Sequence, residues 1–408
     1  MSPAPITLCV TMATEASRES LTALASAIVD SCQQELYELS DEIWKNPELC
    51  FKEYKAHELL TSFLDRKGFA VERSFTGIET AFRATFGSGR PNLCVICEYD
   101  ALPEIGHACG HNLIAEAGVA AGLGLKAALE SSDALKGRVT IMGTPAEEGG
   151  GGKVYLIENG AFEDVDIAMM VHPSPTFDVV ASYLTVARLK VVYTGKASHA
   201  GAFPWEGVNA LDAVVLAYNS ISVLRQQMKP TWRVHGIIKN GGIAANVIPE
   251  TTEMECMVRT PHQEELKILL GKVKACFEAA ATATGCQVEI MELGKIYENV
   301  LSNQVLANAY GKNWKSLGVE FQHNIETSAS TDMGNVSYTV PSIHPKYGIG
   351  SGKEVNHTRE FTRVANIPEA HSATLTAAKA MAYTCIDVLT TEGLLEEIKT
   401  QFRKDTTM

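Results

Sequence analysis

The stretch Asn92-Leu-Cys-Val-Ile-Cys-Glu98-Tyr-Asp-Ala-Leu-Pro103, continued by His107-Ala-Cys-Gly-His-Asn112, runs from a short apolar segment through a polar loop into a small-residue helix over Leu113–Leu129. A bounded apolar run of this length reads as a buried strand. Polar residues just past such a strand stand where ligands bind in open α/β sheets. Working outward, Arg138–Gly143 and Ile167–Val171 read as further strands. A helix is predicted over Ser26–Asn46, with Ile28, Cys32, Leu36, Leu39 and Ile43 on one face and Asn46-Pro47 as its stop. A second helix, from Tyr54 to Gly68, ends on Lys67-Gly68. Strands separated by helices imply an α/β unit, a mixed sheet flanked by helices.

Near residue 185 the pattern changes. Val186–Tyr193 reads as a strand, Asn209–Gln227 as a helix, and Trp232–Lys239 and Thr251–Arg259 as strands. Glu264–Gly285 follows as a helix and Gln287–Leu293 as a last strand. The order βαββαβ is the split, ferredoxin-like α+β arrangement, inserted into the larger unit. After Val300 the α/β style resumes and closes on a helix over Ile367–Leu389. The expected organisation is therefore a tail over 1–25, a catalytic domain made of 26–184 plus 297–408, and an inserted domain over 185–296.

The 408 residues suffice for two cores, and 46% hydrophobic with 20% charged is ordinary globular usage. A net charge of −13 argues against nucleic acid or an anionic membrane as partner. Ten scattered cysteines without framework spacing read as free thiols of a reducing compartment. The run Ile6-Thr-Leu-Cys-Val10 lacks the basic lead of a signal peptide, and no apolar run reaches the ~20 residues of a membrane span. The cytoplasm is the expected location.

Four places carry chemistry. Cys109 and His111, two apart around Gly110, offer thiolate and imidazole, both suited to zinc or a related divalent ion. Thr144-Pro-Ala-Glu-Glu-Gly-Gly-Gly-Gly152 sets Glu147 beside Glu148, an adjacency that is costly when buried unless a cation offsets it. One such glutamate can ligate an ion while its neighbour holds a water as general base. His172 ends an apolar strand, and His357 lies far downstream in Val355-Asn-His-Thr-Arg-Glu-Phe361. Taken singly, each has an ordinary explanation: a helix-start loop, a solvated acidic turn, a rim histidine. Gly149–Gly152 is not a phosphate loop, because no Gly-Lys-Ser/Thr follows.

In order, Tyr-Asp-Ala-Leu-Pro, His-Ala-Cys-Gly-His-Asn, Pro-Ala-Glu-Glu-Gly, Gly-Lys-Ala-Ser-His-Ala and Ala-Asn-Val-Ile-Pro resemble the M20 metallopeptidase family, in particular its amidohydrolase branch. The resemblance covers nearly the whole chain. It implies that Cys109, His111, Glu148, His172 and His357 bind one or two divalent ions, Zn²⁺ or Mn²⁺. It further implies that Glu147 is the general base, that Asp100 supports the metal site from behind, and that His199 stabilises an oxyanion, often across a dimer. Asn246 and Arg259 match residues that hold a substrate carboxylate. Glu98 stands where the peptidase branches place a ligand histidine, a departure that leaves the number of ions open. The inserted domain is implied to dimerise and to close over the site. Asp332 is expected to support the site structurally, His344 to line the pocket, and His107 to sit at its rim or behind it.

The implied function is hydrolysis of amide bonds in small dipeptides such as β-alanyl-lysine, β-alanyl-ornithine or γ-aminobutyryl-lysine. N-acyl amino acids and aminobenzoyl-glutamate-type amides are alternatives. Rival readings are a catalytically silent binder on the same fold and a cysteine-nucleophile enzyme built on Cys109.

Overall fold

The computed structural model describes residues 17–133, 135–321 and 329–407. Helices α1 (Arg18–Ser31), α2 (Gln33–Lys45) and α3 (Tyr54–Arg66) come first, followed by β1 (Ala70–Arg73), β2 (Phe82–Ser88) and β3 (Asn92–Cys97). Then come α4 (His111–Glu130), β4 (Gly137–Gly143), α5 (Gly152–Glu158), β5 (Ile167–Met169) and β6 (His172–Ser174). The βαββαβ run follows as β7 (Thr185–Thr194), α6 (Ala210–Leu224), β8 (Arg233–Asn240), β9 (Thr251–Thr260), α7 (Gln263–Thr284) and β10 (Gln287–Glu292). The chain continues with α8 (Gln304–Ser316), α9 (Met333–Thr339), β11 (Ser342–Ile343) and β12 (Lys346–Gly348). It closes with α10 (Arg359–Val364), α11 (Pro368–Thr390) and α12 (Leu394–Thr406).

Six strands form a mixed sheet in the order β1-β2-β4-β3-β5-β11. β3 lies parallel to both β4 and β5, whereas β2 runs antiparallel to β4. All six residues of β3 are buried. Leu93, Val95 and Cys97 enter the core under α1, α2, α4 and α11, while Cys94 and Ile96 enter a second core on the opposite face with Met142, Leu156 and Phe162. Side chains alternate along a strand, so a strand covered on both faces reads as an unbroken apolar run. That is why this segment looks uniform in the sequence.

The second sheet is antiparallel, in the order β10-β7-β9-β8. Helices α6 and α7 cover one face and bury Leu189, Val191, Val258 and Phe277 in a core of their own. The opposite face carries Arg188 and Arg259. Asn209 starts α6 by accepting the Leu211 N–H at 2.9 Å, the usual service of an asparagine cap.

Three expectations need correction. The segment expected as one helix over Ser26–Asn46 is two helices that meet at Cys32, which leaves helical geometry at φ −96, ψ 1. The expected tail over 1–25 is too long, because α1 begins at Arg18 and buries Leu21, Thr22 and Ala25 against the core. Residues 1–16 of that tail lie outside the described residues. The sequence pattern hid this helix because its apolar stripe is short and its neighbours, α4 and α11, are distant in the chain. Finally, α4 is long and apolar enough to cross a membrane by length and composition, where no run of that length was expected. Here it is the central core helix, packed between the sheet and α1, α2 and α11.

Replacing Leu21 with Ala is expected to lower the unfolding free energy by about 2–5 kcal/mol, read by urea denaturation. A loss below about 0.5 kcal/mol is what a tail position would give, and would reject the packing of α1.

Candidate metal centre

Loops at the carboxyl ends of the parallel strands β3, β4 and β5 build the site, which is where the backbone of an α/β sheet leaves room for ligands. The loop after β3 supplies Glu98, Asp100, Cys109 and His111, the loop after β4 supplies Glu147 and Glu148, and β6 opens with His172. His357 arrives from the segment before α10. It is tied to the first loop by its own N–H, which donates to the Ala108 carbonyl at 2.8 Å, and it takes a left-handed backbone with φ 67. Gly110, between Cys109 and His111, is also left-handed with φ +78, and a Cβ there would stand 2.6 Å from Pro173 Cγ. Both the turn and the close approach therefore require glycine.

The donor atoms converge. Cys109 Sγ lies 3.4 Å from His172 Nε2, and His357 Nε2 lies 3.2 Å from Glu148 Oε1. His111 Nε2 is 4.0 Å from both Glu147 Oε2 and Glu148 Oε1. Three groups have donors all within 4.8 Å of one another: Cys109 with His111 and His172; Cys109 with Glu148 and His357; and His111 with Glu147 and Glu148. Sharing of Cys109, His111 and Glu148 among the three groups suits a centre of one or two ions.

The histidines are oriented by what they touch behind. His172 Nδ1 faces the Pro173 carbonyl at 2.8 Å, which can only accept, so Nδ1 carries the proton and Nε2 offers its lone pair to the site. His111 Nδ1 lies 3.0 Å from Asp100 Oδ1, and the other Asp100 oxygen accepts the Glu148 N–H at 2.8 Å. One aspartate thus fixes two candidate donors from two loops. Burial pushes the Asp100 carboxyl up, but His111 and the Glu148 N–H outweigh it and hold it below the usual carboxylate range.

Does the site fit a cation? His111 Nε2, Glu148 Oε1 and Glu98 Oε2 are buried with no hydrogen bond among the described residues, although His111 Nε2 stands 3.5 Å from Glu98 Oε2 and His357 Nε2 3.2 Å from Glu148 Oε1. Such atoms are costly to leave bare. Burial, and then the charges of Glu98 and Glu148, push the Glu147 carboxyl well above its usual range. Burial, and then Glu148, likewise raise the Cys109 thiol. Burial, and then the neighbouring His344 and His111, push the His172 pKa well below its usual range. Soft and hard donors with unmet negative charge are what a divalent ion satisfies, so the residues fit the group.

Around the donors lies a cavity of ≈ 380 Å³. Arg259 reaches it and donates to Ser330 Oγ at 2.8 Å. His199 and Asn246 do not line it. They sit together on the exposed far end of the inserted unit, where the Ala200 N–H donates to the Asn246 carbonyl at 3.0 Å. Asp332 is the support expected of it: it accepts from the Lys153 backbone at 2.9 Å and from Lys153 Nζ at 2.8 Å. His344 is buried behind the pocket, not lining it. Its Nδ1 bonds the Met170 carbonyl at 3.1 Å, its ring stacks on Tyr183, and burial lowers its pKa to about 3. His107 is buried behind the loop with Nε2 on the Ile43 carbonyl at 3.1 Å.

Sequence reasoning missed five residues. Lys153, fully buried, ion-pairs with Glu98 and Asp332 and so cancels two carboxylates under the site. Tyr297 donates to the Glu147 carbonyl at 2.5 Å. Tyr183, Lys346 and Arg188 line the cavity. None belongs to a pattern of spaced residues, and only Lys153, directly after the glycine run, had a positional cue.

The pattern that defines peptidase family M20/M25/M40 matches residues 96–380. The chain is 48% identical to Xaa-Arg dipeptidase of Mus musculus over 95% of its own length and 93% of that protein's. To one of the polypeptides of the p-aminobenzoyl-glutamate hydrolase of Escherichia coli it is 29% identical, over 93% of this chain and 94% of that one. Among solved structures, a dinuclear metal binding peptidase from Bacillus subtilis superposes with a TM-score of 0.68 at 20% identity, covering 88% of this chain and 99% of that one. That likeness concerns the fold.

Asp100→Asn is expected to weaken Mn²⁺ or Zn²⁺ binding by about 10- to 100-fold, measured by titration with a metal-sensitive dye. Because the Cys109 proton must leave for the ion to bind, the affinity of the unaltered protein should rise with pH across the neutral range. Unchanged affinity in the variant would remove Asp100 from the site.

Proposed function

Because the chain belongs to peptidase family M20/M25/M40, we propose that this metal-dependent hydrolase cuts the amide bond of small dipeptides ending in a basic residue. The proposed class takes in Xaa-Arg peptides, which the names of two relatives carry, together with β-alanyl-lysine, β-alanyl-ornithine and γ-aminobutyryl-lysine. The observation that carries the reading is Glu147, a carboxylate buried beside His111, Glu148 and Glu98 in a cluster of donors that could hold an ion.

Cys109, His111, Glu148, His172 and His357 would hold one or two divalent ions, Zn²⁺ or Mn²⁺. Once bound, these supply a polarised scissile carbonyl and a water of lowered pKa. Glu147 would take a proton from the attacking water at its carboxylate and pass it to the leaving nitrogen. Tyr297 fixes the backbone from which Glu147 projects, and Lys153 offsets the charge of Glu98 and Asp332, so that neither competes for the same proton. Arg259 meets the substrate carboxylate.

His199 acts across a homodimer in this proposal. Its exposed position on the inserted unit supports that role. So do the apolar side chains left outside on the same unit: Val215, Leu216, Tyr218 and Val223 on α6, with Ile237 and Ile238 on the edge strand β8. Apolar patches and unpaired strand edges of this kind mark association surfaces.

Glu147→Gln should lower dipeptide turnover by at least about 100-fold while the ions stay bound, measured by kinetics and metal analysis on the same preparation. Normal turnover would rule out the assigned base. Cleavage of β-alanyl-lysine and Xaa-Arg dipeptides should vanish with a chelator and return with Mn²⁺ or Zn²⁺. Cleavage confined to N-acyl amino acids or aminobenzoyl-glutamate would move the substrate class. Sedimentation should show a dimer, and a monomer at assay concentration would exclude His199 acting in trans.

A further inference from the structure

We infer that Arg188, not assigned by any of the motifs above, is a second arm that binds the carboxylate of the substrate's leaving residue and thereby restricts the enzyme to peptides with a free carboxyl end. The assignment rests on the dipeptidase reading. It starts from the pairing of β7 with β9, in which Arg188 faces Met257 and Arg259 faces Val186. The two arginines are therefore diagonal neighbours on one face of the sheet. That is the face without helices, and both side chains line the metal cavity.

Two guanidiniums so placed repel. Burial lowers the Arg259 pKa, and the charge of Arg188 lowers it further. Repulsion of this kind is offset when an anion sits between the pair. The two arginines are not equally placed to receive one. Arg259 is already engaged, with Ser330 Oγ at 2.8 Å and Met257 Sδ at 3.7 Å among its partners. Among the described residues the Arg188 guanidinium donates no hydrogen bond, and no carboxylate stands within ion-pair distance of it.

Arg188 is nevertheless held in place. Its guanidinium lies over the Tyr297 ring, 5.6 Å from the centroid, and that ring is anchored by its hydroxyl on the Glu147 carbonyl. Arg188 Nη1 occupies the space above Gly149, where a Cβ would come within 2.4 Å of it. Gly149, at φ +124, follows Glu148 directly, so the guanidinium stands close to the loop that carries the base. Contact through its face with Tyr297 leaves the N–H groups at its edge for a planar two-oxygen acceptor, which is the shape of a carboxylate. In a dipeptide of the proposed class the acyl half bears an amine, so the carboxylate belongs to the leaving residue.

The test compares β-alanyl-lysine with β-alanyl-lysinamide on the Mn²⁺-loaded full-length enzyme and on Arg188→Met and Arg188→Lys variants. The expected result is a KM for the free acid raised roughly tenfold to hundredfold in Arg188→Met, with kcat changed much less, as loss of a charge-assisted bond made equally in ground and transition states requires. The amide, a poor substrate throughout, should be unaffected, so that discrimination between acid and amide collapses. Arg188→Lys, which keeps the charge and loses the planar fork, should lie between the two and decides the matter if the Met variant does not fold. Full acid-over-amide discrimination in a folded variant overturns the assignment. If the unaltered enzyme cleaves no dipeptide, the substrate reading has failed, and the arm is judged by calorimetric binding of lysine against lysinamide. A preference for the acid that Arg188→Met abolishes upholds it, and no preference in the unaltered protein overturns it.

Discussion

Negative charge concentrated at the carboxyl ends of β3 and β4 is the constraint on which the rest of this protein depends. Glu98, Asp100, Glu147 and Asp332 are buried there, with Glu148 beside them. Carboxylates are rarely buried unless each meets a cation or several donors. The chain supplies some of the answer itself: Lys153 pairs with Glu98 and Asp332, and Asp100 is spent on His111 and the Glu148 N–H. Glu147 and Glu148 are left over. Their surplus, with the thiol of Cys109 and the bare Nε2 of His111, is the charge a divalent ion would neutralise.

That division of labour separates two roles for neighbouring residues of one type. Glu148 faces His357 and His111 and enters two of the donor groups, whereas Glu147 enters one and has its position set through its backbone carbonyl by Tyr297. Burial with other carboxylates nearby raises its affinity for a proton. The proposed role, accepting a proton from water and releasing it to an amine, calls for an affinity above that of an ordinary carboxylate.

The two sheets meet across the cavity with opposite electrostatic character. The larger one brings the acidic, metal-binding rim, and the helix-free face of the smaller one brings Arg188 and Arg259. A substrate carrying both a carbonyl to be attacked and a carboxylate to be held would bridge them. Any change in how the smaller sheet sits against the larger one alters that span, and positioning errors of about an ångström are costly in catalysis. The exposed places of His199 and Asn246 belong to the same unit, away from the cavity of their own chain.

The sequence by itself determined the alternation of strands and helices, the βαββαβ insertion, and the three loops that carry Cys109, His111, Glu147, Glu148 and His172. Periodicity is local, and a strand buried on both faces or a helix with one apolar stripe declares itself in a few residues. Placing His357 with them took the resemblance to known relatives, since a distant residue has no spacing signal. Only the tertiary structure decided that α1 starts at Arg18, that Lys153 lies beneath Glu98 and Asp332, that Tyr297 holds the Glu147 backbone, and that Arg188 shares a cavity with Arg259. Each of these pairs residues far apart in the chain or on different strands, where burial and facing direction are set by packing, which no local pattern encodes.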